Sequence, residues 1–578
     1  MSAPPERRRG AGRALIACAL LLLAGGVSAT TPASDAPGNP PLQFYGPRDY
    51  GAGPLNWSVL QDRRGLIYAA NADGVLEFDG VDWRLIRTAR QTRARALAQC
   101  DEGPIHVGAQ GEFGYLAGDE RGQLRFVSLS DALPAAEQDF SDVWLIHCLD
   151  DGVYFRSQRR LFRLQGERLQ SWSLPDSGYS AVVDGRLYLF DRELGLVEFV
   201  NETFRPLPGA TPQAVGDVQL LLPWRREGNI GEPATALLLG SRQHGLQLWQ
   251  DGRIETLDSP LSPLLARDGL RGGRLLPNGH ALLLTLAEGP LLIDANARLL
   301  RRLGRAEGVA GDRAFEVDYA RDGALWLALD TGIARVAAFD ALSRFDEATL
   351  GGSVLASLRL GDRLFVGSNT RLTWLHARPG EAEQVGITGY IRGLLEVDGR
   401  LLAAGNGGTF EVIGDSSRNL RNVGASELLR SRRDPARVWI AERDGLASLR
   451  WQDGDWIDEG KRWVTASVVR SLAEDRDGGL WLGTDLDGVL YVPANDALGT
   501  GLLSDTQLLR FGVGDGLPSN EENQVFVIGD EVRWRTRDGI YRFDAGRRRF
   551  EPDPRFSGLF AGRPGWQLSP RGGLAVDA

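Results

Sequence analysis

Between Val469 and Phe511 the chain alternates apolar and polar side chains in short runs divided by glycine turns. Val469 to Glu474 reads as a half-buried strand, Asp477-Gly478-Gly479 supplies the positive backbone angles of a tight hairpin, and Leu480-Trp481-Leu482-Gly483 follows as a second strand. Asp487-Gly488 then turns the chain into Val489-Leu490-Tyr491-Val492, and Leu508 to Phe511 is expected to be a fourth strand. Four antiparallel strands in about forty residues is the size of one propeller blade.

The same pattern recurs along the chain. Its clearest copies are RRGLIYAANADGVLEFDG from Arg63, RDGALWLALDTGIARV from Arg321, DPARVWIAERDGLASLRW from Asp434 and GDEVRWRTRDGIYRFD from Gly529. Weaker copies begin near Glu102, Asp151, Asp184, Glu232, Pro277, Gly361 and Val397. The place of Trp481 is held in turn by Tyr68, His106, Tyr154, Tyr188, Leu238, Leu282, Trp326, Phe365, Leu402, Trp439, Trp481 and Trp534, at gaps of 34 to 53 residues. That spacing suits blades and not the shorter solenoid repeats. Large side chains there should wedge between neighbouring blades, with His106 as the polar exception.

Twelve units exceed the four to eight blades of one ring. The expectation is an all-β fold of tandem β-propellers, with negligible helix after Ala29 because no long segment has a 3.6-residue apolar period. Seven units fit residues 42–348, DEATLGGSV from Asp346 marks the junction, and the second propeller occupies 349–578. GGLAVDA from Gly572 aligns with GGLWLGT from Gly478, which places Ala575 at the Trp481 position of a thirteenth repeat. On this reading the second ring, of seven blades like the first, is truncated in its sixth or later blade.

At the start, Arg7, Arg8, Arg9 and Arg13 precede an apolar run from Ala14 to Ala24, and Val27-Ser28-Ala29 offers small residues for cleavage. Residues 1–29 are therefore expected to be a secretory signal peptide, and 30–41 a disordered leader rich in Pro, Ala and Ser. Removing the signal takes the net charge from −10 to −13, since four Arg leave with Glu6. An acidic exported surface argues against nucleic acid or anionic lipid as partner. Cys100 and Cys148 end corresponding strands of consecutive units. Sheets stack at about 10 Å and a disulfide needs Cα atoms within about 7 Å, so both are expected to be free thiols.

Candidate chemistry is sparse. The five histidines, at 106, 147, 244, 280 and 376, stand singly, with no HExxH, no paired-cysteine metal spacing and no GxSxG elbow. The acidic turns at Asp475 and Asp485 resemble pieces of a calcium loop but read more simply as hairpin turns. No catalytic residue, metal or cofactor is assigned. Asn56 and Trp57 in GPLNWS, with Trp374, fall outside the repeat positions and are the candidate ligand-binding residues.

GPRDYGAGPLNWSVLQDRRGLIYAANADGVLEFDGVDWR near the start and FGVGDGLPSNEENQVFVIGDEVRWRTRDGIYRFD near the end resemble the repeats of the two-component regulator propeller family. The resemblance implies paired seven-bladed rings that form the periplasmic sensor half of a bacterial membrane receptor. There they precede a small β-sandwich, a transmembrane helix and an effector of histidine-kinase, diguanylate-cyclase or DNA-binding type. The expected role is thus a non-enzymatic sensor module, held near the inner membrane by a part of the receptor beyond Ala578. Its ligand is a small molecule, glycan or protein, and a homodimer is compatible with the reading. The alternatives are an exported scaffold for protein contacts and a propeller lyase or glycosidase.

Overall fold

The computed structural model describes residues 38–174, 177–224, 236–311, 313–340, 342–375, 382–499 and 501–556, with the backbone of 566–568 and 574–576. The expected signal peptide, most of the leader and His376 lie outside the described residues.

Twelve four-stranded antiparallel sheets follow one another. Blades 1 to 6 span 56–86, 94–128, 143–173, 177–206, 218–256 and 270–302, and blades 8 to 12 span 354–388, 391–421, 425–464, 469–511 and 524–552. In each of these, four consecutive strands pair in chain order. Blade 7 differs: its three strands at 314–336 take their fourth, outermost strand from Leu42–Tyr45, which pairs with Ile333–Val336. Two further short strands, Trp566–Leu568 and Leu574–Val576, pair with Ala575 opposite Gln567.

Blade 11 shows how closely local pattern dictates the strands. They run Val469–Glu474, Leu480–Thr484, Val489–Val492 and Leu509–Phe511. The Asp475 carboxylate holds the first turn by accepting from the N–H groups of Asp477 at 3.0 Å and Gly479 at 2.8 Å. The longest α-helix among the described residues is Ser262–Asp268, with seven residues. No helix among them is long and apolar enough to cross a membrane.

The Trp481 position lies on the second strand of every blade and is buried in all twelve. Trp481 meets Trp534 edge-on at 4.8 Å in a cluster that joins blades 11 and 12. Trp439 joins blade 10 to blade 11, packing with Leu472 and Leu480. Trp326 of blade 7 packs with Val59 and Leu76 of blade 1, so the seventh blade meets the first. The Gln61 N–H of blade 1 also donates to Asp318 of blade 7 at 2.7 Å. His106 serves as an aromatic wedge: its ring meets Phe155 edge-on at 5.8 Å, and burial drives its pKa down to about 4, so it packs neutral.

Two expectations are corrected. Cys100 and Cys148 form a disulfide with Cα atoms 5.4 Å apart. Cys100 directly follows the innermost strand of blade 2, and Cys148 lies near the end of the innermost strand of blade 3. The 10 Å spacing describes parallel stacked sheets, whereas blades radiate from an axis and their innermost strands converge. The same closeness lets the Leu97 N–H donate to Ser58 of the preceding blade at 3.2 Å and the Val525 N–H to Ser471 at 2.8 Å. Secondly, Gly38 to Pro41, counted in the disordered leader, are ordered. Asn39 pairs with Arg344, and the Arg301 guanidinium donates to the Gly38 carbonyl at 3.1 Å, so these backbone groups have protein partners.

Candidate functional site

A single local irregularity, repeated seven times, builds the site. In each of blades 1 to 7 the innermost strand loses register with the second strand near its start, at Asn56/Ser58, Ala94/Ala96, Val143/Leu145, Ser177/Ser180, Val218/Leu220, Leu270/Gly272 and Ala314/Glu316. A bulge leaves a residue unpaired and re-aims its side chain. The skipped residues are Trp57, Arg95, Trp144, Gly178 with Tyr179, Gln219, Arg271 and Phe315, and every one of them lines the same cavity of about 610 Å³. That volume is in the range of small-molecule sites.

The cavity is cationic and aromatic. The Arg95 guanidinium lies 4.0 Å from the centre of the Trp57 ring and 4.5 Å from that of Trp144, and pairs with Asp142 at 3.0 Å. Arg271 stacks on Phe315 at 4.2 Å, and Arg274 pairs with Asp318 at 2.9 Å. Arg156 donates to the Gly178 carbonyl, and Arg242 donates to the carbonyls of Ala266 and Arg267 at 3.0 and 2.8 Å. Burial lowers the pKa of Arg95, with Asp142 opposing, and takes Arg156 down to about 10. Arg271 is lowered first by burial and then by the charges of Arg313 and Arg95.

One carboxyl faces these cations under unusual conditions. Burial pushes Glu316 up to about 7, against a hydrogen bond from Ser58 and the charge of Arg274, and Asp318 adds to the rise. Tyr179 beside it is driven up to about 12 by burial and by Glu316. Just behind, His147 shares a 2.8 Å hydrogen bond with Ser180 and is held neutral, its pKa taken down to about 3 by burial and by Arg156.

The three residues singled out in the sequence fare differently. Trp57 stands on the strand Asn56–Gln61 and lines the cavity. Asn56, its neighbour, is fully buried; its amide N–H donates to the Gly332 carbonyl at 3.0 Å and its oxygen accepts from Asn71 at 2.8 Å. Trp374 is on the third strand of blade 8, under the Arg363 guanidinium at 4.2 Å and donating to Asp415 at 3.2 Å, and is not part of the cavity that Trp57 lines. The remaining cavity residues, chiefly Arg95, Trp144, Tyr179, Arg271 and Phe315, escaped sequence reasoning. A signal existed: Trp57, Arg95, Arg271 and Phe315 each stand eleven residues ahead of their wedge residues Tyr68, His106, Leu282 and Trp326.

The acidic turns of blade 11 have local duties. Asp475 also accepts from the Trp481 indole N–H at 3.1 Å, and Asp485 pairs with Arg470 at 2.6 Å. No group of three or more His, Cys, Asp or Glu among the described residues is arranged to hold a metal ion. In blades 8 to 11 the bulge residues are Leu355, Arg392, Ser426 and Arg470, and the last of these is neutralised by Asp485.

Sheets of this order and packing make the chain a β-propeller protein. Its repeat is similar to that of the two component regulator propellers, whose family model matches residues 464–485, the start of blade 11. No curated protein matches the chain. Among solved structures, the extracellular domain of a hybrid two component system from B. thetaiotaomicron superposes with a TM-score of 0.63 and 16% identity, covering 90% of this chain and 73% of its own. The extracellular domain of a one component system from that organism is more distant, with a TM-score of 0.38 and 15% identity over 88% of this chain and 72% of its own. A streptogramin B lyase gives 0.39 and 14% over 51% of this chain and 97% of its own.

Proposed function

We propose that this chain is the exported, ligand-binding sensor part of a transmembrane signalling receptor, and that its ligand enters the cavity of blades 1 to 7. The observation that carries the reading is the convergence of seven separate bulges on one cavity. Bulges cost ladder hydrogen bonds and are retained where they re-aim a side chain, and here all seven aim at the same space. The likeness in fold to the extracellular domain of a hybrid two component system supports a sensing role. The signal would pass to a histidine kinase, diguanylate cyclase or transcription regulator in the same receptor, with the propellers in the periplasm beside the inner membrane. Residues 42–348 form one propeller on this reading, and 349–578 belong to a second.

The test is a thermal-shift screen of the secreted protein against small molecules and glycans. A true ligand at one hundred times its Kd should stabilise the fold by about 2.7 kcal/mol, and Trp57→Ala or Trp144→Ala should abolish that shift. A ligand whose shift survives both substitutions binds elsewhere and sinks the reading. The receptor containing this chain should also respond to the same ligand in cells and lose the response with either variant.

A further inference from the structure

The cavity of blades 1 to 7 has a charge opposite to that of the chain. Five arginines line it, at 95, 156, 242, 271 and 274, against Asp217 and Glu316. Asp142 and Asp318 neutralise Arg95 and Arg274 from beside it. All but one of the 66 basic residues of the chain are arginine, about one residue in nine, and five among the 21 residues that line the cavity is about twice that share.

Arg271 is the telling member. It is the bulge residue of blade 6 and stacks on Phe315, which fixes the plane of its guanidinium while leaving the N–H edge open. Among the described residues no carboxylate or carbonyl accepts from it, and its charged neighbours are Arg95 and Arg313, two more cations. A guanidinium held between like charges and partly withdrawn from water is poised for an oxyanion, which it can bind through two parallel N–H bonds. Opposite in character, Asp217 also lines the cavity, and its Oδ1 is buried with no donor among the described residues. A buried acceptor left without a donor is costly, and a hydroxyl on the ligand would satisfy it.

We propose that this cavity takes a small hydroxylated oxyanion, a sugar acid or a sulfated sugar, with Arg271 clasping the carboxylate or sulfate and Asp217 accepting from a hydroxyl. The inference deepens the sensor reading and rests on it only for the consequence of binding. The same chemistry is offered by a free sugar acid and by the acidic end of a glycan.

Calorimetric titration of the whole secreted chain with glucuronate, digalacturonate, sodium sulfate and glucose tests it. Glucuronate should bind saturably, sulfate should compete with it, and glucose should bind far more weakly. Arg271→Gln should weaken glucuronate by about tenfold or more, as expected for a lost charge-assisted bond, while Arg271→Lys, which keeps the charge but loses the stacked two-pronged fork, should recover only part of the affinity. Both variants should melt like the parent, and Arg253→Gln on the outer strand of blade 5 should bind as the parent does. Tighter binding of digalacturonate than of glucuronate names a glycan as the source, and equal binding names a free acid. Glucose binding as well as glucuronate, no anion binding, or unchanged affinity in Arg271→Gln would overturn the proposal. A neutral ligand that needs Trp57 would overturn the anion class and leave the sensor reading standing. An anion that binds as described but evokes no response in the cell would do the reverse.

Discussion

Trp481 and Glu316 show what single residues contribute to this fold. Trp481 is buried between two blades and meets Tyr491, Phe511, Trp534, Phe543 and Phe550. Its replacement by Ala should destabilise the protein by about 3 to 5 kcal/mol, since neighbouring blades cannot close the gap. Chemical denaturation measures this, and a loss under about 1 kcal/mol would mean the position is not a wedge. Glu316 acts through its proton. Its folded pKa of about 7 lies above the ordinary 4.5, so the fold favours the neutral carboxyl. That contribution to stability is complete below about pH 4.5 and is lost as the pH rises through 7. The groups facing it, Arg274, Asp318, Ser58 and Tyr179, do not cancel the rise. Glu316→Gln should therefore match the parent in melting temperature near pH 4.5 and exceed it near pH 8. Melting curves across that range decide the matter, and parallel curves for the two proteins would refute the shift.

At the scale of elements, hairpins were legible and long-range geometry was not. The strands of blade 11 follow from their own residues, because Asp475 and the glycines after it set the turn and alternation sets the faces. The wedge positions were legible for the same reason, since each is fixed by the turn just before it. The strand Leu42–Tyr45 could not be placed from its neighbours, because its partner Ile333–Val336 lies near the other end of the seven blades. The bulges were hidden too. Asn56 and Trp57 look alike in the sequence, yet the register break sends one into a buried hydrogen-bond network and the other into the cavity. The disulfide was misjudged because blade convergence is a property of the ring. It closes a span of 48 residues, for which the chain-entropy model gives about 4 kcal/mol. Cys100→Ser with Cys148→Ser should lose stability of that order, and the parent should resist alkylation until it is reduced. Ready alkylation of the unreduced native protein would contradict the bond.

For the whole molecule the decisive feature is how blades 1 to 7 are closed. Seven sheets that pack face to face leave two free faces unless the last meets the first, and here Trp326 of blade 7 packs on blade 1. The closure is reinforced by putting both ends of the unit into one sheet: Leu42–Tyr45 supplies the outer strand of a blade whose other strands end at Val336. Tyr45 binds the junction further, stacking on Trp326 at 5.7 Å and meeting Trp83 of blade 1 edge-on at 5.3 Å. To separate blades 7 and 1 the chain must break a strand pairing as well as an apolar interface. Residues 38–348 should consequently fold when expressed without the rest, unfold in one transition, and sediment as a monomer. Starting the same piece at residue 46 removes the closing strand and leaves the Ile333–Val336 edge unpaired, a template for pairing with another chain. Losing three half-buried side chains, Leu42, Phe44 and Tyr45, should cost roughly 3 to 6 kcal/mol at 1 to 2 kcal/mol each. The shortened piece should melt well below the longer one and self-associate as its concentration rises. If it proves monomeric and as stable as residues 38–348, the strand does not close the ring, and the assignment of the first propeller to these seven blades fails with it.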